Sequence, residues 1–473
     1  MSKPVRIAGY AALFVLALLA GLVYRQTRSP EIPDVGEPFD VAKFSARTVA
    51  DDKNAFTLYR EADKQFVDLK TITGDNPQRL AAAEASVAEA IKPGSALADT
   101  DVQTYLAQNQ KALAVWKRGT ERAAALAVPL DQVNLDSKLH VGETVRKLVQ
   151  LALLEADRVS TAKPRDAWPW YRACLRSSRH VAMNAATVQR LSGVAMWQIT
   201  LEASLRWSAQ PALTAAELRQ ALTDVEAISA LTPPCSDCFK VEYLTMLHEA
   251  DPFIRGLGNT GPRVDECHER IRRLMNLLYA NWLSQADQPR ANRLPAQFDS
   301  PELYAIRDGE RSDSKLRDPA DVNRWFALPR RGAPLLLNIL RGQVYVLTSS
   351  FFVLMLPSSS ALRDAIDREA VYRGVLILDL ALQTYQREHG HFPADPQQLV
   401  KDGYLKELPA DPFAKGQPLR YRRQTDPKEQ AVVWSVWYDG IDQEGREAEG
   451  NGLSSPGDKV YRLVAPKERG AVR

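Results

Sequence analysis

The chain has 473 residues, with 61 Lys plus Arg against 58 Asp plus Glu and 45% hydrophobic residues. That length exceeds one ordinary core, so two or three domains are expected. A formal net charge of +3, with bases spread among acids, excludes nucleic-acid binding as the main business of the protein.

Residues 7–24 carry no charge and are flanked by Lys3, Arg6, Arg25 and Arg28, a length that nearly spans a hydrocarbon core. The competing reading is a cleaved signal peptide. The run is long for one, and Leu18 precedes Ala20 where a small residue is wanted. The expectation is therefore an uncleaved anchor over residues 1–28, a single-pass N-terminal transmembrane helix of the inner membrane. Nearly equal charge on the two flanks gives only a slight preference for a cytosolic N-terminus and an extracytoplasmic bulk. Residues 29–38, with Pro30, Pro33 and Pro38, suit a short stalk.

From 39 to 290 a mainly α region is expected. Apolar residues recur at helical spacing over 51–70, 77–91, 100–124, 138–159, 167–190, 215–230, 238–256 and 264–284. Residues 167–186, with Trp168, Trp170 and Tyr171, have the look of one tetratricopeptide-like hairpin, yet no clean repeat period emerges. An irregular helical domain is favoured over a repeat array. Residues 291–357 form a linker that ends in an apolar stretch, 344–356. This stretch is too short to span a membrane, and extension backward would bury Asn338 and Arg341. A buried helix is expected there.

Residues 358–473 read as a self-contained C-terminal α+β module. A long helix over 361–388 ends at Gly390 with Pro393 beyond it. Alternating stretches at 418–422, 431–437 and 459–464 then predict a small antiparallel sheet packed on the helix. Tyr385, Gly390, Phe392, Pro393, Tyr404, Leu405, Leu408, Pro409, Asp411, Pro412 and Phe413 stand in an order that resembles the globular part of the type II secretion G-type, or major, pseudopilin. The likeness covers about a fifth of the chain. The whole chain also looks like large membrane-anchored proteins of planctomycete-type bacteria, a likeness that carries no activity. The prepilin cleavage motif is missing, and residues 25–360 separate the apolar run from the module, so assembly as a pseudopilin is not expected.

The resemblance implies calcium in the loop after the second strand. Asp439 and Asp458 match the family positions best, and Asp442 is added by spacing. Hard cations want several carboxylate and carbonyl oxygens gathered by a tight turn. Trp437 stands where the family has glycine, and the loop to Asp458 is long. A solvated acidic hairpin loop, its Asp439-Gly440 simply turning the chain, is the alternative.

Cys235-Ser-Asp-Cys238 follows Pro233-Pro234. With Cys174 and Cys267 it is open to disulfides, free structural thiols, or a metal or redox site. His389 and His391 flank Gly390, where capping of helix carbonyls is expected. His248-Glu249 lacks the second histidine of a zincin helix, and no residue is assigned a catalytic role. The expected function is a non-enzymatic structural or interaction protein of the envelope, with the membrane and secretion or other envelope proteins as partners. The alternatives are an accessory enzyme with a cleft site and a helical-repeat peptide binder.

Overall fold

The computed structural model describes residues 34–91, 99–134, 142–256, 262–293, 359–423, 430–447 and 456–463. The expected anchor, the apolar stretch at 344–356 and nearly all of the linker lie outside them. No helix among the described residues is long and apolar enough to cross a membrane. The architecture is mainly helical with one small antiparallel sheet, as expected.

The helices are α1 Ala55–Gln65, α2 Pro77–Ala90, α3 Thr100–Gln108, α4 Gln110–Thr120, α5 Glu143–Ala162, α6 Trp168–Ala182, α7 Thr187–Ser208, α8 Ala215–Ser229, α9 Cys235–Gly256, α10 Pro262–Ala286 and α11 Ser359–His389, with shorter turns between them. Two expected helices break where a side chain bonds across the fold. The 100–124 run divides at Asn109, whose amide donates to the Val67 carbonyl and accepts from the Val67 amide, each at 2.9 Å. The 51–70 run ends at Gln65 and resumes at Leu69 behind an Asp68 cap. The 167–190 run ends at Ala182, and Asn184 takes a left-handed φ of 49° before α7 begins. α7 itself escaped the sequence reading because it is buried on several sides: Trp197, Thr200, Ser204 and Trp207 are all inside, so no single apolar stripe marks it.

The chain forms two compact units. The larger holds residues 44–242, 286–293 and 361–473. The helical region and the C-terminal module thus share one unit, whose last segment begins at Ala361, three residues beyond the boundary expected at 358. The smaller unit holds, among the described residues, 34–43, 243–256, 262–285 and 359–360. There Tyr243 donates to Asn276 at 2.7 Å and stacks edge-on with Phe39 and Tyr279.

In the larger unit α11 is enclosed. Residues 374–376 and 378–385 are all buried, more than one stripe of a helix can account for, because different neighbours cover different sides. One is the module itself: a Cβ at Gly374 would lie 3.0 Å from Pro409 and from Leu419, so glycine permits that approach. The others are helices of the helical region. The Ser208 hydroxyl, from α7, donates to Asp379 at 2.6 Å, and Arg387 donates to the carbonyls of Gln210 at 2.9 Å and Leu213 at 3.2 Å. Gly390, at φ 78°, terminates α11 by donating to the Gln386 carbonyl at 2.9 Å.

The sheet has β1 Arg420–Arg422, β2 Ala431–Ser435 and β3 Lys459–Leu463 in sequential antiparallel order. Tyr421 pairs with Val433, and Val433 with Tyr461. Every residue of β2 is buried, as suits a central strand between two partners.

Candidate functional site

The sequence motif Leu408-Pro-Ala-Asp-Pro-Phe413 has a local structural purpose. Asp411 is fully buried and caps a short turn by accepting from the Phe413 amide at 3.0 Å. The same carboxylate accepts from the Ser435 hydroxyl at 2.9 Å and the Val436 amide at 3.0 Å, which fixes the exit of β2. Desolvation raises its pKa, and the three bonds only partly offset the rise. Asp411→Ala would leave three donors without their acceptor, and urea unfolding is expected to show a loss of about 2–4 kcal/mol.

Beyond that exit, Trp437 adopts φ 55°, the left-handed conformation glycine takes most readily. This is the position at which the sequence departs from the pseudopilin pattern. A bulky residue there costs on the order of 1 kcal/mol. The ring packs against Phe413 at 5.2 Å and Tyr438 at 5.4 Å, and burial of an aromatic side chain offsets the cost.

The loop then folds around its acidic residues. Asp439 accepts from the Ile441 amide at 3.0 Å, the Gln443 side chain at 2.7 Å and the Gly457 amide at 3.1 Å. Although desolvation works against it, these bonds hold its carboxyl below the usual range. Asp458 accepts from the amides of Gln443 at 3.1 Å and Gly445 at 2.8 Å through one oxygen. Its other oxygen is buried with no partner, as is the Gln443 side-chain oxygen. Desolvation pushes the Asp458 carboxyl up, and the charges of Asp442 and Asp439 push the same way.

The structure therefore brings Asp439 and Asp458 to the two sides of Gln443. Asp442 is turned elsewhere: its oxygens receive the Trp434 indole, the Glu444 amide and Arg420, each at 3.0 Å. Among the described residues no three His, Cys, Asp or Glu side chains are grouped to hold a metal ion. The donor set still suits a hard cation in part. Two buried acceptor oxygens lack a donor, and a carboxylate whose ionisation is disfavoured sits beside further negative charge. Gln443 is the residue sequence reading missed, since a glutamine between two acids carries no signal of its own.

The remaining sequence candidates are packed into the fold. Cys174, Cys235, Cys238 and Cys267 are buried and form no disulfide. Cys235 opens α9, where a thiolate would be favoured, but burial pushes it up to about 12. His389 does not cap carbonyls: it stacks on Tyr385 at 4.1 Å and meets the Tyr404 hydroxyl at 3.1 Å, while His391 lies 3.0 Å from the Phe392 carbonyl.

A second constellation lies between α6, α7 and α11, and no motif announced it. Glu369 is fully buried and forms ion pairs with Arg179 and, at 2.6 Å, Arg190, both of them also buried. Despite strong desolvation the arginines hold its carboxyl down to about 2. Arg373, one turn further along α11, donates to the Thr232 hydroxyl at 2.8 Å, and Arg179 donates to the same oxygen at 3.1 Å. A neighbouring pair adds to this: Arg293 grips Asp367 at 2.6 and 2.9 Å, and Arg290 spans Asp364 and Asp367 at 2.6 and 2.9 Å. Charges on α11 thus seat it against chain segments far away in sequence. No family model matches the chain, and no curated protein or solved structure does.

Proposed function

We propose that the chain is a membrane-anchored, extracytoplasmic structural or interaction protein, whose C-terminal pseudopilin-like module is a fixed part of a helical scaffold. The observation that carries this reading is the enclosure of α11. Its faces are taken by the sheet and by the helical region, and Glu369 and Asp379 are bonded to α6 and α7. A helix whose residues 378–385 are all buried has little free surface there to hand to a neighbouring subunit, so in this reading the module serves as a rigid end of the scaffold. Partners are other envelope proteins, secretion machinery among them. No enzymatic step is assigned.

In the same proposal calcium stabilises the module loop, held by Asp439 and Asp458 with the Gln443 side-chain oxygen, while Asp442 contributes charge from beside them. The cation would give the two partnerless oxygens a partner and relieve the repulsion at Asp458. The test is calorimetric calcium titration of the full chain with melting followed in chelator. Saturable binding and a melting point that falls by several degrees on chelation, both lost in Asp458→Asn, are expected. An unchanged melting point removes calcium from the proposal. The anchor is tested separately by alkaline extraction of membranes. The full chain should stay in the pellet, and release into the supernatant would refute anchoring.

A further inference from the structure

The cluster around Glu369 has more positive charge than its carboxylate can balance. Arg179 and Arg190 both pair with Glu369. Arg373 has only neutral acceptors, the Thr232 hydroxyl and the Ser229 carbonyl. Arginine does not shed its proton at ordinary pH, so three guanidinium groups and one carboxylate leave two positive charges unbalanced, the side chain of Arg373 being half-buried and the others fully buried. Glu242, buried near the start of α7, accepts from the Thr187 amide at 2.9 Å and forms no ion pair with Arg190 or Arg373.

The unmet hydrogen bonds of this cluster are all of one kind. The Nε–H groups of Arg190 and Arg373 and the indole N–H of Trp197 are buried without an acceptor. Trp197 belongs to the same cluster, because the Arg179 guanidinium lies 4.3 Å over its ring. Donors without acceptors, beside uncompensated positive charge, call for an anion, whereas a missing water would be expected to leave acceptors and donors alike. Arg179, Glu369 and Trp197 are completely shut from solvent. A monatomic anion needs little more room than a water molecule, so this setting favours it over a tetrahedral oxyanion.

We propose that Arg190 and Arg373, with Trp197 beside them, hold a halide-sized monovalent anion, chloride in practice, that completes the charge balance where α11 docks on α6 and α7. Chloride binding is thereby coupled to the docking of the C-terminal helix and stabilises the folded chain.

The test is thermal unfolding of the full chain at constant ionic strength, with sodium chloride replaced stepwise by sodium gluconate, whose anion is too large for the site. The melting point should rise by about 3 °C or more between 1 mM and 200 mM chloride. In Arg373→Met, which leaves both ion pairs of Glu369 in place, the dependence on chloride should vanish. A wild-type melting point indifferent to the exchange overturns the proposal, and so does a dependence that persists in Arg373→Met. Should that variant not fold, crystals of the wild-type chain grown in bromide decide by anomalous scattering. A bromide between Arg190 and Arg373 upholds the site, and its absence there refutes it. None of these readouts involves calcium or the loop of Asp458, so either site can fail alone.

Discussion

Glu369→Gln is expected to destabilise the chain by about 3–5 kcal/mol, the largest loss for any single conservative change in the larger unit. The substitution keeps the shape of the side chain and removes its charge. It leaves Arg179 and Arg190, fully buried, without the carboxylate they share. The cost comes from stranding desolvated charge, so the ion pair itself need not be a large net stabiliser. Replacing the carboxylate together with one of its two partners, as Glu369→Leu with Arg190→Met, strands Arg179 alone and should therefore cost less than the single change. Urea unfolding of the three chains checks this, and a double variant weaker than Glu369→Gln would show that the ion pair is favourable in itself. Because Glu369 joins α11 to α6 and α7, partial unfolding of the single variant should begin with release of the C-terminal module, seen as early loss of amide protection in β2.

Asp379→Asn is expected to stabilise the chain at pH 8 and to remove a pH dependence. Asp379 is fully buried, accepts from the Ser208 hydroxyl, and has Arg387 as its charged neighbour. Desolvation raises its carboxyl to about 7, with Ser208, Gln383 and Arg387 pulling the other way. In the unfolded chain the group ionises near the ordinary carboxylate value of about 3.9. The folded state therefore holds a proton that the unfolded state has lost, and stability falls as pH rises through the folded value. Between pH 6 and pH 8 the wild type should lose about 1.4 kcal/mol relative to Asp379→Asn. His180 acts in the opposite direction and in a different window. Burial lowers it to about 3, so its contribution is full above about pH 6.5 and declines as pH falls below that. The two effects therefore separate. An Asp379→Asn chain whose stability still falls from pH 6 to pH 8 in parallel with the wild type would rule out Asp379 as the titrating group.

What the sequence determined by itself is local. The long helix ended by Gly390, the sheet strands at 420–422, 431–435 and 459–463, and most of the helix starts follow from periodicity and from turn residues whose preferences act over a few neighbours. The acidic loop was legible too, because Asp439, Gly440 and Asp442 are turn formers close together in the chain. What it could not determine is where distant segments meet. Asn109 breaks a helix only because Val67 is opposite it. Asp442 looked like a ligand until Arg420 and Trp434 took its oxygens. Glu369 reads as an ordinary helix-surface acid, and Arg179 and Arg190 lie 190 and 179 residues away from it. The tertiary structure decided that these charges are buried together. Pairing of buried charge depends on three-dimensional proximity and desolvation, and neither leaves a periodic trace in the order of residues.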